Sequence, residues 1–310
     1  MFGFALRRLL LIPVVLFAVA SITFFLVRVA PGGPFDAERR LPPEIERNLA
    51  ERCERDAPLV SQYVRFLQGW VSLDVDGCTG MSLKYPGRSV REIIAEAFPV
   101  SLHLGALALL FAIALGLVSG LIAAVRQNTW VDYAAMGTAI GGISIPNFVL
   151  GPLLILFFSL ELGWLPPALW EGPSTWILPA ITLGITYAAY ISRLTRAGVL
   201  EVVRQDFMRT ARAKGLPGWL VVTRHGLRGG LLPVVSYLGP ASSALFTGSV
   251  VVEQIFGIPG LGRTFIESAL NRDYNLVLGT VLVYAAFLMV MNLVVDLLYG
   301  VLDPRVRVDT

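Results

Sequence analysis

The chain has 310 residues, of which 55% are hydrophobic and only 15% are charged, whereas an ordinary soluble domain has about 25% charged residues. Its formal net charge is +3, but the basic residues fall between long apolar stretches rather than along one soluble face, which argues against nucleic-acid binding. The mean hydropathy of +0.69 indicates a protein whose main solvent is lipid.

Six stretches contain no Asp, Glu, Lys or Arg, and each is long enough, or nearly so, for the ~20 residues that cross a bilayer as a helix. A charged side chain at the centre of a membrane helix costs about 2.5 to 3.5 kcal/mol, so charge-free stretches are a sharper test than average hydropathy. The stretches are 9–27, 97–125, 133–160, 172–192, 229–252 and 274–295. They predict an all-α polytopic membrane protein with six transmembrane helices.

The first stretch has two interpretations. Arg7 and Arg8 precede the apolar run, and Ala18-Val19-Ala20 resembles the cleavage site of a signal peptide. The run continues unbroken over 21–27, past that site, which favours a retained membrane anchor. Cleavage of a signal peptide is the alternative.

The long segment 31–96 follows this first span. Its aromatic residues Tyr63, Phe66 and Trp70 recur at roughly helical spacing, so we expect a small helical cap on the outer face, with interfacial anchoring alone as the alternative. The only cysteines, Cys53 and Cys78, also lie here. An oxidising exterior would permit a disulfide between them, and two unpaired thiols are the alternative.

Glycines and prolines mark features inside the predicted spans. Gly116 with Gly120, and Gly137 with Gly141, form small-xxx-small pairs, which let helix backbones approach closely in lipid. Prolines within spans predict kinks, because neighbouring helices can satisfy the carbonyls that proline leaves free. These prolines are Pro146, Pro152, Pro179, Pro233 and Pro240.

Lys and Arg in the short loops determine the orientation of a membrane protein. With the N-terminus inside, the inner segments hold Arg7, Arg8, Arg126, the eight basic residues between Arg193 and Arg228, Arg305 and Arg307, whereas the short outer loops hold only Arg263 and Arg272. Both termini are therefore expected in the cytoplasm.

Patterns for catalysis, nucleotide binding and metal binding are missing from the sequence. Neither Lys84 nor Lys214 lies in a phosphate-binding loop, and His103 and His225 occur in no metal-ligand motif. We expect no enzyme activity, no catalytic residue, no metal site and no cofactor, with His103 as an interior histidine rather than a ligand or proton relay. The spans hold no buried carboxylate, which weakens proton-coupled transport, although Glu253 at a kinked helix end leaves that alternative open.

The most informative stretch runs from Arg193 to Pro233. From Glu201 it predicts a basic amphipathic helix that ends at Gly215, with Pro217 just beyond it. A second short helical turn follows before the next span. By composition alone, a solvated basic loop near anionic lipid is the alternative.

Motifs in this stretch resemble those of one family. Thr210-Ala211-Arg212-Ala213-Lys214-Gly215, followed by Arg224-His225-Gly226-Leu227-Arg228 and Leu231-Leu232-Pro233, resembles the "EAA" loop of permease subunits of ATP-binding-cassette (ABC) importers, in its peptide-permease form. The stretch 247–262 is similar to the outer segment after the fifth span of dipeptide and oligopeptide permeases. The resemblance covers nearly the whole chain and is strongest to the B-type permease of oligopeptide importers.

The resemblance implies a type I ABC importer permease fold in the bacterial cytoplasmic (inner) membrane. The implied partners are a second homologous permease, two cytoplasmic ABC ATPases that hydrolyse ATP, an extracytoplasmic peptide-binding protein and an oligopeptide cargo. Dipeptides, nickel or another small solute are the alternative cargoes. The implied parts are the N-terminal end and first transmembrane helix (1–30), an external segment (31–96), a five-helix permease core (97–300) with a coupling loop (193–230), and a cytoplasmic tail (301–310).

Two sets of functional residues follow from this resemblance. The residues expected to couple to the ATPase are Asp206, Phe207, Arg209, Thr210, Ala211, Arg212, Ala213, Lys214 and Gly215. Polar residues near or within spans that are expected to line the translocation path are Ser144, Asn147, Ser243, Thr247 and Glu253. Serine and threonine can equally well bond their own helix backbone, which is the alternative for those positions.

Overall fold

The computed structural model describes residues 2–29, 58–72, 80–85, 87–215, 217–247 and 249–302. This part of the chain is helical apart from turns and one isolated antiparallel bridge between Met81 and Ser89. The helices are α1 (Phe2–Val29), α2 (Leu59–Ser72), α3 (Val90–Val125), α4 (Trp130–Ser144), α5 (Asn147–Leu154), α6 (Pro173–Val203), α7 (Asp206–Ala213), α8 (Leu232–Phe246), α9 (Val250–Ile255), α10 (Leu261–Leu270) and α11 (Tyr274–Leu302). A π-helix, Ile155–Glu161, continues α5, and three short helical turns connect α7 to α8: Gly218–Leu220, the π-helical Val221–Gly226, and Leu227–Gly230.

Four of the described helices are long and apolar enough to cross a membrane. Their apolar segments are Leu9–Leu26, Val90–Val125, Pro173–Val203 and Tyr274–Val295. Helix α4 and the α5–π-helix segment pass the same test only together, and the pair bends by 109° at a short break. The break contains Pro146, where the sequence predicts a kink. By length and composition the described residues therefore provide four spans, or five if the bent pair crosses as one.

The fifth predicted span, 229–252, corresponds to a shorter helix. Helix α8 has 15 residues, which gives about 22 Å at ~1.5 Å per residue, less than the ~30 Å hydrocarbon core. Helix α9 begins only after an interruption of the helix. The all-helical membrane architecture is thus confirmed, while the count of six spans and the position of the termini stay predictions.

The chain divides into two compact units, Met1–Ser101 with Pro259–Leu293, and Leu102–Ile258 with Val294–Thr310. In the first unit, Phe24 of α1 and Phe66 of α2 are buried with Leu278 and Leu282 of α11. The centres of the two phenylalanine rings are 5.1 Å apart. A helix at Tyr63 and Phe66 is therefore confirmed, and it is held by apolar contacts to α1 and α11.

The first unit also contains a buried polar cluster. Asp273, which precedes α11 and is fully buried, accepts a hydrogen bond from the Ser82 hydroxyl and one from the Lys84 backbone N–H at 3.2 Å. The Leu276 N–H donates to the other carboxylate oxygen at 3.2 Å, in the manner of a helix N-cap. The segment containing Ser82 is thus attached to the first turn of α11.

In the second unit, α6 packs against several other helices. Ala112 of α3 and Val234 of α8 are buried with Ala188 and Ile191 of α6. The Ser119 hydroxyl of α3 bonds the Ser192 hydroxyl of α6 at 2.9 Å. These contacts place α6 beside both α3 and α8. A displacement of α6 would therefore change its packing against both helices.

Candidate functional site

Helix α7, the predicted ATPase-coupling helix, has one buried face. Met208 is fully buried and Ala211 is 7% exposed, and both pack with Val202 at the end of α6 and Val221 in the turn region after α7. A two-residue turn separates α6 from α7. The apolar contacts therefore fix α7 against the end of a long membrane helix rather than leaving it as a solvated loop.

The opposite face of α7 is exposed and carries charge. The side chains of Asp206 and Arg209 are 97% and 77% exposed, and Phe207 is 48% exposed. Thr210, Ala213 and Lys214 are also exposed. An exposed aromatic ring among solvated charges is typical of a protein-docking surface, because the ring gains by burial while the charges orient the partner.

Gly215 ends this helical segment. The Lys214 N–H still donates to the Thr210 carbonyl at 3.1 Å, whereas Gly215 has φ of +79°, a left-handed conformation that glycine adopts without steric cost. The predicted helix end at Gly215 is confirmed. The predicted start at Glu201 is wrong, because Glu201 belongs to the last turn of α6 and the chain turns at 204–205 before α7 begins. The side chain of Arg212 lies outside the described part of the structure.

A second contact fixes the end of the coupling loop (193–230) at Gly230. A Cβ built on Gly198 of α6 would lie 2.1 Å from the carbonyl oxygen of Gly230, so any larger residue would force the two backbones apart. Val199 and Val222 are buried nearby with Ala124 of α3. The segment that carries α7 is therefore anchored to α6 at both ends. Sequence reasoning missed the pairing of Gly198 with Gly230 because they are distant in sequence and nothing local indicates a contact.

A buried ion pair lies close to this anchor. The Asp132 side chain, in the first turn of α4, is 1% exposed. The Arg196 guanidinium of α6 donates from Nε to Oδ1 at 2.6 Å and from Nη2 to Oδ2 at 2.7 Å, and the Asn128 backbone N–H donates to Oδ2 at 3.0 Å. Sequence reasoning missed this pair as well, since it treated charges only as markers of loops between spans.

The predicted path residues have different surroundings. The Ser144 hydroxyl donates to the Ile140 carbonyl at 2.8 Å, and the Thr247 hydroxyl donates to the Ser243 carbonyl at 3.1 Å. Both bond their own helix. Ser243 is 5% exposed and Glu253 is fully buried, while Asn147, the first residue of α5, is partly exposed. The assignment of these residues to a path stays a prediction.

The stretch after α8 is not one continuous helix, and hydrogen bonds satisfy some of its backbone groups. Ser249 accepts the Val252 N–H at 3.3 Å as the N-cap of α9. Gly257 has φ of +64°, and the Phe256 carbonyl accepts the Leu169 N–H at 2.8 Å. Non-helical backbone is tolerated at a membrane protein's core only where protein or water satisfies it. The hydrogen bonds of the Val252 N–H and the Phe256 carbonyl satisfy two of the backbone groups in this stretch.

His103 packs against two tryptophan rings, Trp170 and Trp176, that also contact each other. The ring centres of His103 and Trp176 are 4.5 Å apart and those of His103 and Trp170 are 5.5 Å apart, both edge-on. His103 is partly exposed, so its assignment as an interior histidine stays a prediction. Within the described ranges, no group of three or more His, Cys, Asp or Glu side chains could hold a metal ion. Cys53 and Cys78 lie outside the described residues, so their disulfide stays a prediction.

Comparisons with known proteins agree with this architecture. A family described as "Binding-protein-dependent transport system inner membrane component" matches residues 116–308. The oligopeptide transport system permease protein OppB of Escherichia coli (strain K12) is 45% identical over 309 residues, which cover 99% of this chain and 100% of the relative. The dipeptide transport system permease protein DppB of Bacillus subtilis (strain 168) is 41% identical over 304 residues, which cover 98% of this chain and 97% of the relative.

A solved structure shares the fold. The crystal structure of an amino acid ABC transporter with histidines superposes with a TM-score of 0.53 at 20% identity, covering 69% of this chain and 94% of that chain. At this identity the likeness concerns the fold alone. The resemblance inferred from the motifs is confirmed, and the chain belongs to the family of inner-membrane permease components of binding-protein-dependent ABC transport systems.

Proposed function

We propose that this chain is the permease subunit of an ABC importer that carries oligopeptides across the bacterial inner membrane. The full-length matches to oligopeptide and dipeptide permeases support this cargo. Membership of the permease family implies that the chemical energy comes from ATPase partners and that a binding protein delivers the cargo. The proposed complex contains this chain, a second homologous permease, two cytoplasmic ATPases and an extracytoplasmic peptide-binding protein.

The observation that carries the mechanism is the two-faced character of α7. Its exposed face, with Phe207 and Arg209, is available to an ATPase, while Met208 and Ala211 attach the helix to α6. When ATP binding closes the ATPase dimer, α7 and the end of α6 move together as one rigid segment. The permease then changes between inward-open and outward-open states, and hydrolysis resets it. Ser144, Asn147, Ser243, Thr247 and Glu253 are the proposed lining of the path.

This mechanism needs α7 in the cytoplasm, and we propose six spans with both termini inside, α8 and α9 together forming the fifth. Single cysteines at Lys214 and Glu171, both exposed, would test this in a background with Cys53 and Cys78 replaced by Ser. A membrane-impermeant maleimide applied to intact cells should label Glu171→Cys but not Lys214→Cys. Labelling of Lys214→Cys from outside would place α7 on the wrong side and reject the mechanism.

The docking surface is tested with the double variant Phe207→Ala/Arg209→Glu in proteoliposomes that contain the whole complex. Losing an interface aromatic and reversing a charge beside it removes about 2 kcal/mol or more of contact energy. ATP-driven uptake of labelled trialanine should fall at least tenfold, and less ATPase should co-purify. Arg126→Glu is the matched control, since Arg126 is an exposed basic residue outside α7, and it should transport normally.

Two results would overturn the proposal. Uptake by the double variant at the rate of Arg126→Glu would show that α7 does not contact the ATPase. Uptake that persists without the ATPases and collapses with the proton gradient would identify a secondary transporter instead.

A further inference from the structure

Helix α4 lies along α6 but buries few of its own side chains. Its buried residues are Asp132, Ala139 and Gly142, while Trp130 and Tyr133 on either side of Asp132 are 79% and 68% exposed. Ala139 and Gly142 offer almost no side chain for apolar interlocking. The bidentate bond from Arg196 to Asp132 is therefore the strongest specific attachment of the first turn of α4.

The attachment fits an antiparallel alignment of α4 with α6. At the other end of the contact, the Thr186 hydroxyl of α6 donates to the Gly142 carbonyl of α4 at 3.3 Å. Asp132 and Gly142 are ten residues apart, and so are Thr186 and Arg196. Two antiparallel helices in continuous contact meet in this way. The ion pair therefore closes one end of a helix pair whose other end is held by the close approach of Gly142 to Ile185 and Ala189 and by the Thr186 hydrogen bond.

The same turn of α6 holds the coupling segment. Arg196 is two residues before Gly198, which meets the Gly230 backbone, and three before Val199, which is buried with Val222. Movement transmitted through these contacts reaches α6 at the turn to which α4 is bonded. Because the Asp132 side chain is only 1% exposed, loss of the arginine leaves a buried charge without its partner, which is costly.

We propose that the Asp132–Arg196 ion pair is a positioning contact that makes α4 follow α6 when α7 is displaced, so that the ATP-driven movement reaches the bent α4–α5 pair. The inference rests on the proposed function, since it assigns the ion pair a place in the coupling of ATP hydrolysis to uptake. Neither residue touches the cargo or the ATPase in this assignment.

The first test measures peptide imported per ATP hydrolysed, with labelled trialanine and proteoliposomes of the whole complex. Asp132→Asn, Arg196→Gln and Arg196→Lys should each lower this ratio, the first two by about tenfold, with ATP hydrolysis retained. Arg196→Lys keeps the charge but loses the bidentate geometry, so it should lower the ratio of peptide imported to ATP hydrolysed by less.

The charge exchange Asp132→Arg/Arg196→Asp should recover part of this ratio. Arg88→Gln is the matched control, because it removes an exposed ion pair of the same 2.6 Å length, and it should leave the ratio unchanged.

The second test does not depend on the cargo. Spin labels at Thr138→Cys on α4 and Glu201→Cys on α6, both exposed, report the distance between the two helices by pulsed electron paramagnetic resonance, with Cys53 and Cys78 replaced by Ser. When Asp132 and Arg196 are both intact, the distances between the two spin labels should form one narrow distribution with and without ATP. Asp132→Asn should broaden it, and so, to a lesser degree, should Arg196→Lys.

The outcomes separate the two claims. An assembled complex that keeps the wild-type ratio in Asp132→Asn, or a distance distribution that stays narrow in that variant, would overturn the positioning role. A wild-type complex that imports no peptide would instead overturn the proposed function, and the distance measurement on the purified chain would still decide whether the ion pair joins α4 to α6. If Asp132→Asn does not yield folded protein, Arg196→Lys decides both measurements.

Discussion

Two regions of this chain carry the same small-xxx-small pattern and use it differently. On α3, a Cβ added to Gly116 would lie 2.6 Å from the Ile191 side chain, and one added to Gly120 would lie 2.4 Å from the Ser192 carbonyl oxygen. On α4, a Cβ added to Gly137 or Gly141 would meet no described atom within 4 Å. The first pair forms a close helix contact, and the second lies on an open face of this chain.

The difference shows that a small-xxx-small pattern allows another helix to pack closely, but does not indicate whether a neighbouring helix lies against it. Helix α6 is the neighbour of both helices. It meets α3 on the glycine face, but it meets α4 on the face of Asp132, Ala139 and Gly142. The two faces of α4 lie on opposite sides of the helix, as expected from 3.6 residues per turn.

The largest expected effect comes from placing a leucine on each face. Gly120→Leu cannot be accommodated without separating α3 from α6, because the clash is with backbone, and it should destabilise the protein by about 3 kcal/mol or more. Gly137→Leu should change stability by less than about 0.5 kcal/mol. Thermal unfolding of the purified complex in detergent measures both. Equal losses in the two variants would refute the distinction between the faces.

Alanine should give a smaller effect, and one of opposite sign on the two faces. Gly116→Ala pushes a methyl group against Ile191 and should destabilise by about 1–3 kcal/mol. Gly141→Ala meets no described neighbour and removes the flexibility of glycine in a helix, so it should stabilise by about 0.5–1 kcal/mol. The same unfolding assay distinguishes the signs, and a loss at Gly141 as large as that at Gly116 would mean that the α4 face is covered within this chain.

The smallest effect concerns one hydroxyl on each face. The Ser119 hydroxyl bonds Ser192 of α6 across the α3–α6 contact in addition to the Leu115 carbonyl of its own helix, whereas the Ser144 hydroxyl bonds the carbonyl of Ile140 in its own helix. Ser119→Ala should cost about 0.6 kcal/mol, the typical value for one interhelical hydrogen bond in a membrane, and Ser144→Ala about zero. A matched series of unfolding curves with several replicates would resolve the difference. If Ser119→Ala left the free energy of unfolding unchanged, the α3–α6 contact would depend on packing alone.

The predictability of the candidate site differs between its parts. The amphipathic character of α7 and its end at Gly215 were predictable, because helix periodicity, a C-terminal glycine and a following proline are local signals, whereas the turn at 204–205 that separates α7 from α6 was not predicted. The burial of Met208 and Ala211 follows from the same periodicity. The attachment of Gly198 to Gly230 and the bond from Arg196 to Asp132 were not predictable, since each joins positions that are distant in sequence and show no local sign of pairing.

The sequence by itself determined that this is a helical membrane protein and where most of its long apolar helices lie, because the cost of placing charge in lipid is read residue by residue along the chain. It also determined the family, through motifs that are contiguous in sequence. Only the tertiary structure decided that the chain bends by 109° between α4 and α5, which glycine pair is packed, and which charges are buried together. These features depend on the rotation and register of one helix against another, and the energy of such contacts belongs to pairs of residues rather than to any local stretch.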